Sequence, residues 1–227
     1  MNNYIELKNL SKSYKNQKKI NVLKCLNYKF SKGKTYSLVG PSGSGKSTLL
    51  NILSLIDRPS NGNLIIDKKK INFDESKKND LLRSNNFGII YQEKNLLNDF
   101  TALENILLAG IANGKSQDES LNKSEKILKK LKLFNRSNHF PSELSGGENQ
   151  RIAIGRALIN SPEIIIADEP SGNLDHKNAK EFFKLLFNLK SKKRIIIYAT
   201  HNRYFANLAD CRLQLINGKL KSINARK

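Results

Sequence analysis

The run Gly40-Pro41-Ser42-Gly43-Ser44-Gly45-Lys46-Ser47-Thr48 constrains this chain more than any other stretch. It follows the apolar residues 36–39 and opens the amphipathic run 46–56. It puts Gly40, Gly45, Lys46 and Ser47 at the fixed places of G-x-x-x-x-G-K-S/T. Small residues let successive backbone N–H groups curl around an anion. A helix that starts there adds unpaired donors and the positive end of its dipole. Lys46 brings a point charge to terminal phosphates, and the Ser47 hydroxyl is suited to Mg²⁺. The alternative, a flexible Gly/Ser linker, does not explain why a strand precedes the run and a helix follows it.

Around this loop the chain alternates. Residues 4–7 and 22–30 have strand character, with residues 15–19 a polar hairpin or loop between them and 31–33 a turn. Residues 57–62 are rich in Pro, Ser, Asn and Gly and are expected to be loop. Residues 63–67 are a short strand, 68–78 an exposed basic connection, and 87–91 a buried strand ending at Gln92. The character then changes. Residues 101–111 and 119–133 have helical spacing, with Leu121, Ile127, Leu128 and Leu131 on one face of the second. Residues 148–160 add a third helix, and 95–160 contain no strand signal. The runs 163–167 and 194–199, apolar after Glu163 and Arg194, read as parallel strands buried on both faces. Between them, 176–190 is an amphipathic helix. Residues 212–216, Asn217-Gly218 and 219–223 form a hairpin.

Composition sets limits on this reading. A chain of 227 residues with 38% hydrophobic residues can bury one large core or a core with an insertion. The net charge is +20, but the 31 Lys and 29 Asn are spread along the whole chain. A solvated lysine-rich surface explains them without a nucleic-acid partner. Cys25 and Cys211 stand alone, with neither a metal-binding spacing nor C-x-x-C, and are expected to be free thiols in a reducing compartment. The first ten residues lack an apolar signal core, and no run approaches the ~18–20 apolar residues of a membrane span. A soluble, cytoplasmic chain that meets a membrane only through a partner is the expectation.

Two further motifs carry chemistry. Residues 164–169, Ile-Ile-Ile-Ala-Asp-Glu, end an apolar strand in two carboxylates. In a parallel sheet that end lies beside the phosphate loop. Asp168 is suited to hold Mg²⁺, and Glu169 to polarise an attacking water. Residues 144–148, Leu-Ser-Gly-Gly-Glu, open a helix on two glycines. That exposes a second anion-binding set of N–H groups. A plain Gly-Gly turn before the helix is the alternative.

Taken together, the phosphate loop, Gln92, Leu144–Glu148, Asp168-Glu169, Ser171-Gly172-Asn173-Leu174-Asp175 and His201 occur in the order seen in ATP-binding cassette (ABC) ATPases, which the whole chain resembles. The resemblance implies an α/β P-loop NTPase (RecA-like) core with an antiparallel β subdomain and an inserted helical subdomain. The core and β subdomain would span 1–92 and 161–227, and the helical subdomain 93–160. It implies ATP and Mg²⁺ as cofactors. Tyr14 would stack on adenine. Gly40, Pro41, Ser42, Gly43, Ser44, Gly45, Lys46, Ser47 and Thr48 would hold phosphates. Ser47, Gln92 and Asp168 would hold the metal. Glu169, His201, Lys46 and Gln92 would be catalytic. Ser145, Gly146 and Gly147 would bind the nucleotide of a second copy, with Asp175 shaping that interface. A packed aromatic at position 14 and a strand-end histidine at 201 are the plain alternatives. His139 and His176 have no motif role.

Residues 90–92, 96–105 and 138–143 are similar to those of the ATP-binding subunits of lipoprotein-releasing transporters. Asn98 and Asn149 depart from the usual pattern. This similarity implies integral membrane permease subunits as partners, a position on the cytoplasmic face of the bacterial inner membrane, and lipoprotein cargo contacted only through the permease. Related subunits serve macrolide exporters and a cell-division complex of the FtsE type. Soluble ABC ATPases of DNA repair and translation are the more distant alternative. Leu96, Leu97 and Phe100, apolar in a polar loop, would either dock the permease or pin the loop to the core.

Overall fold

The computed structural model describes residues 3–15, 19–92 and 95–223. Two sheets and a helical layer are stacked around two apolar cores. The first sheet is antiparallel, with strand order β2-β1-β4-β5: β1 (Asn3–Lys15), β2 (Lys19–Ser31), β4 (Asn61–Ile66) and β5 (Lys69–Lys70). The second has order β10-β9-β3-β8-β7-β6: β3 (Thr35–Val39), β6 (Phe87–Ile90), β7 (Ile164–Asp168), β8 (Ile195–Ala199), β9 (Cys211–Ile216) and β10 (Lys219–Ile223). Every pair from β9 to β6 is parallel, and β10 closes the edge antiparallel through the Asn217-Gly218 turn.

The isoleucine runs of β7 and β8 explain the layering. Side chains alternate between the two faces of a strand. Ile164, Ile166, Ile195, Ile197 and Ala199 enter the first core, which also takes Leu49, Leu50, Ile52 and Leu53 of helix α1 (Lys46–Leu53) and Ile5, Leu7 and Leu64 of the antiparallel sheet. Ile165, Ala167, Ile196 and Tyr198 enter the second core. There they meet the helices α3 (Ala102–Ile111), α4 (Gln117–Lys130), α5 (Gly146–Leu158) and α6 (His176–Asn188). Burial on both faces is why these strands are apolar throughout rather than alternating.

The predicted strands, the three helices of 101–160 and the closing hairpin are present, with ends shifted by a few residues. No strand occurs among residues 95–160. The centre of the predicted 15–19 connection lies outside the described residues. Residues 68–78 are exposed as expected apart from Ile71 and Phe73, but they are more than a connection: they hold β5 and the start of α2 (Ser76–Asn86). Helix α2 buries Asn79 rather than an apolar stripe, and Leu81 is exposed, so helical periodicity is missing from its sequence. Leu82 alone packs, partly buried, against the first core, and polar contacts add to its hold. Asn79 Nδ2 donates to the Asn72 carbonyl at 2.8 Å, and Arg83 Nη1 to the Leu55 carbonyl at 3.1 Å. A short helix α7 (Arg203–Ala206), capped by Asn202, was also unread. No helix among the described residues is long and apolar enough to cross a membrane.

Candidate functional site

Four neighbouring parallel strands deliver the motif residues to one sheet edge. Leu38 of β3 pairs with Ala199 of β8, Ala199 with Asp168 of β7, and Ala167 with Ile90 of β6. The residues that follow these strand ends therefore emerge side by side: the phosphate loop, His201, Glu169 and Gln92. They share one cavity of about 530 Å³, lined by Val22, Gly40, Ser42, Gly43, Gly45, Lys46, Ser47, Thr48, Gln92, Glu169 and His201. That volume lies within the range of small-molecule sites.

The loop reaches its shape through Gly45. This residue caps α1 with φ of 99°, and a Cβ there would lie 2.7 Å from Val22 Cγ1. Helix α1 begins at Lys46, so its first N–H groups face the cavity side of the loop. Lys46 Nζ donates to the Gly40 and Pro41 carbonyls at 3.0 and 3.1 Å, which folds the cation over the loop.

Asp168 lies behind the loop. Its Oδ1 is buried without a hydrogen-bond partner among the described residues. Burial pushes its carboxyl above the ordinary value. The Ser47 hydroxyl works against this, Glu169 adds to it, and Lys46 opposes it. A half-buried acid with an unused oxygen next to a serine hydroxyl fits a divalent cation. Mg²⁺, with its preference for oxygen donors, agrees with Ser47 and Asp168 as holders.

Glu169 has φ of 43°, and its N–H donates to the Ala199 carbonyl at 3.2 Å. The His201 backbone N–H donates to Glu169 Oε2 at 3.2 Å, and His201 Nδ1 lies 2.9 Å from the same oxygen. Gln92 reaches across towards Gly172, where a Cβ would lie 3.0 Å from its Nε2.

Pro41 and Ser44 belong to the loop without lining the cavity, and Ser44 Oγ is buried with no hydrogen-bond partner among the described residues. Tyr14 lies at the margin, outside the lining set but beside the Thr48 hydroxyl, and is 44% exposed. Its hydroxyl donates to Asp57 Oδ2 at 2.9 Å.

Ser145, Gly146, Gly147 and Asp175 form a separate cluster. Ser145 caps α5, with its hydroxyl accepting from Glu148 N–H and its N–H donating to Glu148 Oε2 at 2.8 Å. Asp175 caps α6 and accepts from Asn178 N–H at 2.9 Å. Gly147 presses on α6 so closely that a Cβ would lie 2.7 Å from Asn178 Oδ1. His139 and His176 do not line the cavity; His139 Nε2 lies 3.2 Å from Arg136 Nη1, and His176 follows Asp175 as the first residue of α6.

Three asparagines escaped the sequence reading. Buried Asn105 donates from Nδ2 to the Leu97, Phe100 and Thr101 carbonyls at 2.9–3.0 Å, holding the loop after Gln92. Asn149, read only as a departure from pattern, donates to the Pro141 and Leu144 carbonyls and so fixes the approach to Ser145. Asn178 joins the two helix starts. In a chain with 29 Asn, nothing in the sequence separates these three from surface asparagines.

The comparisons agree with this arrangement. The family model described as ABC transporter matches residues 23–172. The lipoprotein-releasing system ATP-binding protein LolD of Wigglesworthia glossinidia brevipalpis is 45% identical, over 99% of this chain and 100% of that protein. LolD of Rickettsia bellii is 44% identical, over 96% and 98%. A dimeric post-hydrolysis structure of the ATP-binding cassette MJ0796, bound to ADP and Pi, matches with a TM-score of 0.89 at 35% identity, covering 98% of this chain and 99% of that one. With a family match across most of its length and relatives this similar end to end, the chain belongs to the ABC transporter family.

Proposed function

We infer that this cassette hydrolyses ATP to power release of lipoproteins from the bacterial inner membrane, as a peripheral subunit bound to integral permease subunits. The cargo reading follows the relatives named above. The chemistry rests on one observation: the Glu169 carboxylate, held by His201, faces the same cavity as the phosphate loop. In this reading the loop amides and Lys46 bind the phosphates, and Tyr14 stacks on the base. Ser47, Asp168 and Gln92 hold Mg²⁺, which would supply neutralising charge on the phosphates when bound. Glu169 orients and deprotonates the attacking water, and His201 keeps its carboxylate in place.

In the same reading Ser145, Gly146 and Gly147, which do not line the cavity of their own chain, complete the site of a second copy, with Asp175 at that contact. Each copy offers both faces, so the pair has two-fold symmetry and two nucleotides. The core and β subdomain (1–92 and 161–227) and the helical subdomain (93–160) are the units that shift against each other.

Sedimentation of Glu169→Gln with ATP and Mg²⁺ tests the pairing: a dimer is expected, and a nucleotide-loaded monomer at micromolar concentration contradicts it. Depletion of the chain in cells tests the cargo. Lipoproteins should accumulate in the inner membrane, and undisturbed sorting would reject the assignment.

A further inference from the structure

Lys12 and Tyr14 are two residues apart on β1, so their side chains leave the same face of the strand. The Lys12 side chain is only 9% exposed. Its Nζ lies 2.6 Å from Asp57 Oδ1 and donates to the Arg58 carbonyl at 2.7 Å. The same nitrogen sits 4.8 Å from the centroid of the Tyr14 ring. Tyr14 donates its hydroxyl to the other oxygen of the same carboxylate, Asp57 Oδ2. One carboxylate thus holds both the cation beside the ring and the tip of the ring. Asp57 is in turn placed by its own N–H, which donates to the Asn51 carbonyl of α1 at 3.2 Å.

We propose that Lys12 and Asp57 are positioning residues that lock Tyr14 as a fixed platform for the purine base. The proposal rests on the reading of Tyr14 given above. A tyrosine this exposed on a strand would otherwise swing about its two side-chain torsions. A tether at its tip removes that freedom before the base arrives, which lowers the ordering cost of binding. Lys12 draws on the π cloud through one face and leaves the other to stack. A buried ion pair adds little net stability compared with an apolar pair of similar size, so orientation accounts for this one better than stability does. Helix α1 carries the phosphate-binding residues Lys46, Ser47 and Thr48 at its start and the Asp57 tether just beyond its end. One rigid element therefore sets the separation between the base platform and the phosphate cradle.

The experiment compares ATP with inorganic tripolyphosphate, which has the phosphates and no base, on the full chain. Affinities are measured for wild type, Tyr14→Ala, Tyr14→Phe, Lys12→Met and Asp57→Asn. Loss of stacking in Tyr14→Ala should weaken ATP by about five- to 150-fold. Loss of the ring-face cation or the tip tether should weaken ATP by about two- to fivefold, with kcat at saturating ATP unchanged in Lys12→Met and Asp57→Asn. Tripolyphosphate affinity should be unmoved in all four variants. If Lys12→Met and Asp57→Asn weaken both ligands alike, the two residues merely support the fold and the proposal fails. If Tyr14→Ala leaves the ratio of the two affinities at its wild-type value, the stacking reading of Tyr14 fails first. If only Tyr14→Ala shifts the ratio, stacking stands and the tether is refuted. Should Lys12→Met not fold, Tyr14→Phe still decides, because it removes one oxygen from an exposed ring.

Discussion

Glu169 Oε2 is held twice by His201, by its backbone N–H at 3.2 Å and by its ring Nδ1 at 2.9 Å. A carboxylate only accepts, so the ring contact is a donation from Nδ1. The histidine side chain is 73% exposed and that of the glutamate 16%. Glu169 is thus the sheltered, oriented member, and His201 reaches over it from the open side of the cavity.

This geometry makes the two residues one unit. Glu169→Gln should lower kcat by about 100- to 10,000-fold, the usual effect of losing a positioned base. His201→Ala should lower kcat while ATP affinity stays within a few-fold. The double variant should be little slower than Glu169→Gln alone, because residues acting together lose activity non-additively. Single-turnover kinetics of the three variants would check this, and fully multiplicative losses would separate the residues.

Asp168 illustrates a conflict between stability and function. Its carboxyl is pushed upward by burial, and one oxygen has no hydrogen-bond partner among the described residues. Asp168→Asn removes that buried charge, so the nucleotide-free protein should melt higher, by about 2–4 °C for each 1 kcal/mol gained in a domain of this size. Hydrolysis should be lost together with the Mg²⁺-dependent part of nucleotide affinity. Calorimetry with and without ATP and Mg²⁺ reads both effects, and a lower melting temperature without nucleotide would contradict the argument.

Acid should act through a different aspartate. Asp210 Oδ2 accepts from Thr35 N–H at 2.7 Å and from Thr35 Oγ1 at 2.8 Å, while Oδ1 pairs with Lys190 Nζ at 2.7 Å. Burial alone would raise its carboxyl, but Lys190 and Thr35 outweigh that and hold it below the ordinary 3.8. The unfolded chain therefore takes up the proton first. The contribution is complete above the ordinary value and is lost as pH falls through the lower, folded one. Asp210→Asn should be less stable than wild type at pH 7, and the gap should close as pH falls towards 3. Urea unfolding at a series of pH values measures it, and a constant gap would rule out the carboxylate as its source.

The sequence made the site legible because its residues sit at strand ends with rigid spacing. Apolar runs ending in Gly40, Gln92, Asp168-Glu169 and His201 could hardly be placed otherwise in a parallel sheet. What it concealed was held by polar atoms. Helix α2 has no apolar stripe to reveal it, and Asn105 and Asn149 look like surface asparagines in a chain rich in that residue. Periodicity reports apolar burial and is blind to a buried amide that satisfies three carbonyls.

The loop of residues 95–101 shows the same limit, and it divides the apolar trio that the sequence presents as one group. Leu96 is partly buried against the second core, whereas Leu97 and Phe100 are 48% and 37% exposed. The backbone beneath them is fixed: Leu97 N–H donates to Asn105 Oδ1 at 2.8 Å, and Arg156 Nη1 donates to the Asn95 carbonyl. Leu96 therefore pins the loop, and Leu97 with Phe100 forms a rigid apolar pair open to a partner. Leu96→Ser should lower the melting temperature of the isolated chain. Leu97→Ser combined with Phe100→Ser should leave both melting temperature and ATP affinity near wild type, since neither residue supports the core or lines the cavity. That double variant should nevertheless fail to co-purify with the permease subunits. Retained co-purification would remove the pair from the docking surface, and a large drop in melting temperature would assign it to the fold.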